Sequence, residues 1–264
     1  MTHIRTPAVA GMFYPADANT LQSMVDNLLA DADTPGNTPK ALIVPHAGYI
    51  YSGPIAASAY RRLEHARDTI TRVVLLGPSH RVPLFGLAVS SAEYFATPLG
   101  NIPLDRAATD QILPMKQVRL MDEAHTMEHS LEVQLPFLQS SLKEFTLVPL
   151  VVGEASSDEI GEVLETLWGG SETLIVISSD LSHYHDYDTA KLLDAATSKA
   201  IGTLVPDAIG VEGACGRTPI KGLLAVAARK GLVAQTVDLR NSGDTAGTRD
   251  EVVGYGAYVF DYAH

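Results

Sequence analysis

Short apolar runs recur along the chain at Ala41–Val44, 73–76, Thr146–Val152 and 173–177, each bounded by Gly, Pro, Ser or Asp. Runs of this length with no polar alternation predict strands buried on both faces, as in a sheet covered by helices on each side. Between them lie helical patterns. Leu21, Met24, Val25, Leu28 and Leu29 share one face behind a cap at Asp17 or Asn19. The loop Gly48-Tyr49-Ile50-Tyr51-Ser52-Gly53 opens a helix with Pro54 near its first turn, carrying Ile55, Ala59 and Leu63. Residues 105–113 predict a short helix, and Leu131, Leu135, Leu138 and Leu142 form a stripe interrupted at Pro136. Further helices are expected over 157–167, 188–205 and 220–229, the last with Thr218 as cap and Pro219 in its first turn.

The other stretches fill in the plan. Residues 6–15 are too rich in Gly and Pro for a regular element and read as an arm laid on the domain. Residues 87–103 suggest shorter strands or a hairpin, and Pro149 favours an edge or a bulge for its strand. Residues 233–239 and 254–260 close the count of strands. Strand, helix, strand units of this kind predict an α/β fold: a single domain over 1–264 with a central, mostly parallel or mixed sheet flanked by helices.

Three of the strands end in polar residues that carry chemistry. The first runs into Pro45-His46-Ala47-Gly48-Tyr49, the second into Gly77-Pro78-Ser79-His80, and the third into Ser178-Ser179-Asp180-Leu181-Ser182-His183. Ligands of open α/β sheets bind at the carboxyl ends of the strands. A lone histidine there is more often a hydrogen-bonded structural residue. His46 and His80, however, occupy equivalent positions after two strands and could share one metal. Cys215 precedes a helix amino terminus and stands two residues from Arg217, both of which favour a thiolate, although free cysteines are often plain buried hydrophobes. A His/His/Cys set leaves an open coordination position. Asp180 and His183 read either as a carboxylate-oriented acid/base histidine, as a further ligand at Asp180, or as a cap beside an exposed ring. Glu128 and His129 open a helix, with capping the plain alternative for Glu128. Tyr49 and Tyr51 either line a pocket or simply pack, and Ser242-Gly243-Asp244 reads as a turn. His3, His65, His125 and His264 have no supporting context.

Composition narrows the class. With a net charge of −12 the chain does not suit a nucleic-acid groove or an anionic membrane surface. No apolar run is long enough to cross a bilayer, and the start lacks the pattern of a secretory signal. Its single cysteine allows no internal disulfide. The expectation is a soluble, cytoplasmic protein.

Six ordered motifs resemble the MEMO family, whose prokaryotic members are called AmmeMemoRadiSam system protein B. They are Pro-His-Ala-Gly-Tyr at 45–49, Gly-Pro-Ser-His at 77–80, Glu-His-Ser at 128–130, Ser-Ser-Asp-Leu-Ser-His at 178–183, Cys-Gly-Arg-Thr-Pro-Ile at 215–220 and Val-Gly-Tyr-Gly-Ala at 253–257. The resemblance implies a fold similar to class III extradiol dioxygenases, which are non-haem iron enzymes. It implies metal ligands at His46, His80 and Cys215, with Asp180 and His183 beside the metal and His129 facing the substrate or the ligands. Iron (Fe2+) is the implied cofactor, with copper or zinc as alternatives. Ring cleavage is not implied, because Cys215 takes the place of the dioxygenases' carboxylate ligand. The implied role is a metal-dependent redox protein; a zinc-dependent hydrolase and a non-catalytic peptide- or protein-binding module are the alternatives. The expected partners are a small-molecule or peptide ligand in the cleft, with a link to AMMECR-type and radical-SAM proteins.

Overall fold

The computed structural model describes residues 2–263. Its strands are β1 (Ile4–Arg5), β2 (Ala41–Val44), β3 (Arg72–Pro78), β4 (Leu87–Val89), β5 (Tyr94–Thr97) and β6 (Gly100–Pro103) in the first part of the chain. There follow β7 (Val118–Leu120), β8 (Thr146–Val152), β9 (Thr173–Ser178), β10 (His183–His185), β11 (Leu232–Asn241) and β12 (Val252–Tyr262). The helices are α1 (Ala18–Asp31), α2 (Tyr49–Tyr60), α3 (Arg106–Ile112) and α4 (Glu123–Thr126). They continue with α5 (Leu135–Ser141), α6 (Ser157–Thr166), α7 (Tyr187–Gly202) and α8 (Arg217–Lys230).

Nine strands form one mixed sheet in the order β10-β12-β2-β9-β3-β8-β4-β7, with β11 also paired to β12. Its centre, β2-β9-β3-β8, is parallel, and the pairs β12·β2, β11·β12 and β4·β8 are antiparallel. A second sheet joins β1, β5 and β6. The continuous apolar runs have the explanation expected of them: both faces are covered. Leu42, Val44, Val73, Leu75, Leu174 and Val176 point to one core, with Leu21, Val25, Ile55 and Phe137 from α1, α2 and α5. Ala41, Ile43, Val74, Leu76, Ile175 and Ile177 point to the other, with Ile160, Val163, Leu223 and Val226 from α6 and α8. Period-two alternation within each strand divides its side chains between the two layers.

Several local expectations are corrected. β8 is an interior strand, not an edge. Pro149 is tolerated because β8 is paired on its outer side only before it, at Leu147, and beyond it, at Val151 and Val152. Pro136 does not interrupt its helix but sits in the first turn of α5, after a 3-10 turn at Glu132–Gln134. Gly216, not Thr218, is the cap residue of α8. The hairpin in residues 87–103 is β5–β6, while β4 belongs to the main sheet. His264 lies outside the described residues. Among the described residues, no helix is long and apolar enough to cross a membrane.

Candidate metal centre

β9 lies between β2 and β3 in the sheet, so the segment after it runs between His46 and His80. Parallel register sets Val44 beside Ser178 and Leu76 beside Ile177, which brings the three chain ends to one level. Here His46, His80 and Cys215 converge, each offering a donor atom within 4.8 Å of the others. His46 Nε2 lies 3.4 Å from Cys215 Sγ. The imidazole rings of His46 and His80 meet edge to face with centroids 5.2 Å apart.

Cys215 reaches this point because Gly216 allows a close approach: Gly216 N–H donates to Ser179 Oγ at 2.9 Å, and a Cβ on Gly216 would fall 2.6 Å from Ser179 Cβ. Asp180 N–H donates to the cysteine sulfur at 3.3 Å. The thiolate expected from the nearby helix end and Arg217 is not supported for the metal-free protein. Burial pushes the thiol up to about 12, and the Asp180 carboxylate adds to the rise. A bound cation reverses that preference, since the thiolate is the ligating form.

Each histidine is held from behind. His46 Nδ1 lies 2.9 Å from Ser178 Oγ. His80 Nδ1 lies 2.8 Å from Glu128 Oε1, and His80 N–H donates to Oε2 of the same carboxylate at 2.6 Å. Glu128 also accepts from the N–H groups of His129 and Ser130 at 3.0 and 2.9 Å. Burial acts to raise its pKa, but the His80 ring and these N–H groups outweigh it and hold the carboxyl down to about 2. Glu128 is therefore not a helix cap. It is a buried anion that fixes His80, and the adjacent Glu128/His129/His80 cluster is accounted for by these bonds. The donor set fits a metal: two imidazoles and one sulfur converge, and both rings are bonded at Nδ1, the usual arrangement behind a ligating histidine.

Asp180, His129 and His183 surround this point. Asp180 Oδ1 accepts the His46 N–H at 2.7 Å, and burial pushes its carboxyl up to about 6 against the pull of that bond and of His183. The acid/base pairing expected between Asp180 and His183 is not formed as a hydrogen bond: His183 Nδ1 lies 2.9 Å from Leu181 O instead. The His129 ring stacks on His80 at 4.5 Å and tilts against Phe13 at 4.9 Å, and burial with the neighbouring His80 lowers it to about 4.

These groups face a cleft of about 640 Å³, walled by Phe13, Tyr51, Tyr184 and Tyr255 and reached by Ser242 and Glu251. Tyr51 thus lines it, whereas Tyr49 is buried with its hydroxyl donating to Val133 O. The Ser242 segment is the expected turn and also contributes to this wall. Sequence reasoning missed Phe13 and gave no individual role to Ser178 and Tyr255, which stand inside quoted motifs. For Phe13 the one available signal was the irregular arm itself, which Glu132 pins through the N–H groups of Ala8 and Val9.

The family model described as "Memo-like protein" matches residues 5–259. A "MEMO1 family protein" of Aquifex aeolicus is 38% identical, with 97% of this chain and 99% of the relative covered. Another of Aeropyrum pernix is 37% identical, covering 96% and 98%. Among solved structures, an uncharacterized protein of Escherichia coli K12 shares the fold with a TM-score of 0.54 at 14% identity, over 83% of this chain and 98% of that one. With its family model spanning nearly the whole chain and relatives matching from end to end, this chain belongs to the Memo-like protein family.

Proposed function

We propose that the chain is a metal-dependent redox protein that holds iron at His46, His80 and Cys215 and admits a small organic or peptide ligand to the cleft above it. The observation that carries this reading is the meeting of His46 Nε2 and Cys215 Sγ at 3.4 Å, with His80 completing the set and both histidines lining an open cleft. Two imidazoles and a thiolate leave coordination positions free, and the metal supplies one-electron chemistry and a Lewis acid.

The chain's own groups supply proton transfer. Leu181 O only accepts, so His183 keeps its proton on Nδ1 and a lone pair on Nε2, the arrangement of a base. Asp180 lies beside the site with its carboxyl accepting the His46 N–H, and burial favours its protonated form in the metal-free protein. Phe13, Tyr51, Tyr184 and Tyr255 give the ligand an aromatic, partly apolar wall. Extradiol ring cleavage is not part of the proposal, because a thiolate stands where that chemistry uses a carboxylate.

Metal analysis of protein purified without oxygen tests the proposal. Iron at about one equivalent per chain is expected, lost in the His46→Ala, Cys215→Ala double variant. Unchanged metal content in that variant would sink it. The same donor set also suits zinc with an activated water, and zinc that survives dialysis with no response to reductant would replace the redox reading with a hydrolytic one. Copper would keep the redox reading and change its metal, since a thiolate favours copper(I).

A further inference from the structure

Behind His46 runs a hydrogen-bond chain in which every proton has one possible place. Gln134 is fully buried, and its Nε2 lies 2.8 Å from Pro45 O and 2.7 Å from Ser178 Oγ. The Pro45 carbonyl can only accept, so the amide nitrogen must face it, and the second amide proton goes to Ser178. Tyr60 OH on Gln134 Oε1 at 3.0 Å holds the same orientation from the other end. Ser178 has a single proton, and it goes to Ser130 O at 2.6 Å. Only a lone pair of Ser178 Oγ is left for His46 Nδ1. His46, Ser178 and Gln134 are all buried, so the chain is closed to bulk water.

We infer that Ser178 and Gln134 are positioning residues that hold His46 as its Nδ1–H tautomer, keeping the Nε2 lone pair directed at Cys215. The sense of the chain is set at two backbone carbonyls, Pro45 O and Ser130 O, neither of which can be reversed. His46 is thus committed before any metal arrives, and no tautomer change is needed on binding. The structural consequence rests on His46 as a ligand, but the tautomer itself does not.

Nitrogen NMR of the ring nitrogens in full-length, metal-free protein near neutral pH tests this. Wild type is expected to show His46 protonated at Nδ1 and bare at Nε2. Ser178→Ala removes the acceptor and is expected to shift population toward Nε2–H, with anaerobic Fe2+ affinity, measured against a competing chelator, falling on the order of 10–100-fold. Ser178→Thr keeps a hydroxyl and should restore both readouts. Should Ser178→Ala not fold, Gln134→Glu serves, since a neutral carboxyl supplies one proton where two are needed and a partial shift is expected. An Nε2–H ring in wild type, or variants in which tautomer and affinity are both unchanged, overturns the inference. Nδ1–H in a protein that retains no metal upholds it and overturns the metal reading; metal retention with mixed tautomers does the reverse.

Discussion

Glu128 and His80 are joined twice, ring to carboxylate at 2.8 Å and backbone N–H to carboxylate at 2.6 Å. One buried anion thereby sets both the rotamer of a metal-ligand candidate and the path of the loop that carries it. Glu128 Oε1 also accepts from the N–H groups of His129 and Ser130, which ties the His129 segment to the same point.

Glu128→Gln should therefore disturb more than a charge. An amide presents oxygen on one side only, so its NH2 must face N–H groups that now donate to a carboxylate. The expected cost is about 1–3 kcal/mol of stability, with metal affinity down on the order of 10–100-fold. Urea unfolding and competitive metal titration read the two effects, and a variant equal to wild type in both would refute the assignment.

Arg5 and Glu132 form a buried ion pair beneath the amino-terminal arm, and Glu132 also accepts from Tyr14 OH at 2.5 Å. Removing one partner leaves the other charge buried and unpaired. Arg5→Ala is expected to lose about 3–5 kcal/mol. Because this pair anchors the arm carrying Phe13, quenching experiments with a cleft-bound fluorescent probe should also detect a wider site.

Gly216→Ala places a methyl 2.6 Å from Ser179 Cβ and 2.9 Å from Ser178 O. Neither the strand end nor the start of α8 can yield without moving Cys215. Overpacking of this kind costs about 1–3 kcal/mol, and metal retention should fall with it. Thermal unfolding together with metal content after gel filtration checks both.

His125 is buried with Nε2 3.0 Å from Ala88 O and, among the described residues, no partner for Nδ1. Burial, with Arg5 adding to it, pushes its pKa down to about 4. The unfolded chain then binds this proton more readily, so stability is full above about pH 6.5 and falls as pH drops toward about 4, by on the order of 3 kcal/mol. His125→Gln keeps a donor for Ala88 O without the titration. Its unfolding free energy should lose less than wild type between pH 7 and about 4.5; parallel pH profiles for the two proteins would contradict the assignment.

The parts of the site that could be read in advance are those written locally. His46, His80, Asp180 and His183 each lie within six residues of the end of an apolar run, and a strand's carboxyl end is visible wherever such a run stops. Cys215 was legible as a candidate from its place before α8, but the burial that raises its thiol in the metal-free protein is a property of the folded site. For Glu128 the sequence offers capping only as the plain alternative, since its neighbours begin a helical stripe. Its actual partner is 48 residues away. Phe13 lies in an irregular arm with no pattern to mark it, and Ser178 was visible at a strand end but not its place behind His46, 132 residues away.

The amino-acid sequence by itself determined that strands form, that helices cover them on both sides, and that histidines and a carboxylate follow the strand ends. Those features depend on periodicity and on residues near one another in the chain. Only the tertiary structure decided that β9 inserts between β2 and β3, and hence that Ser178 lies behind His46 and that Asp180 binds its N–H from 134 residues away. Strand order and hydrogen-bond partners depend on how the whole sheet closes, and a buried polar group takes whichever partner that closure brings within reach.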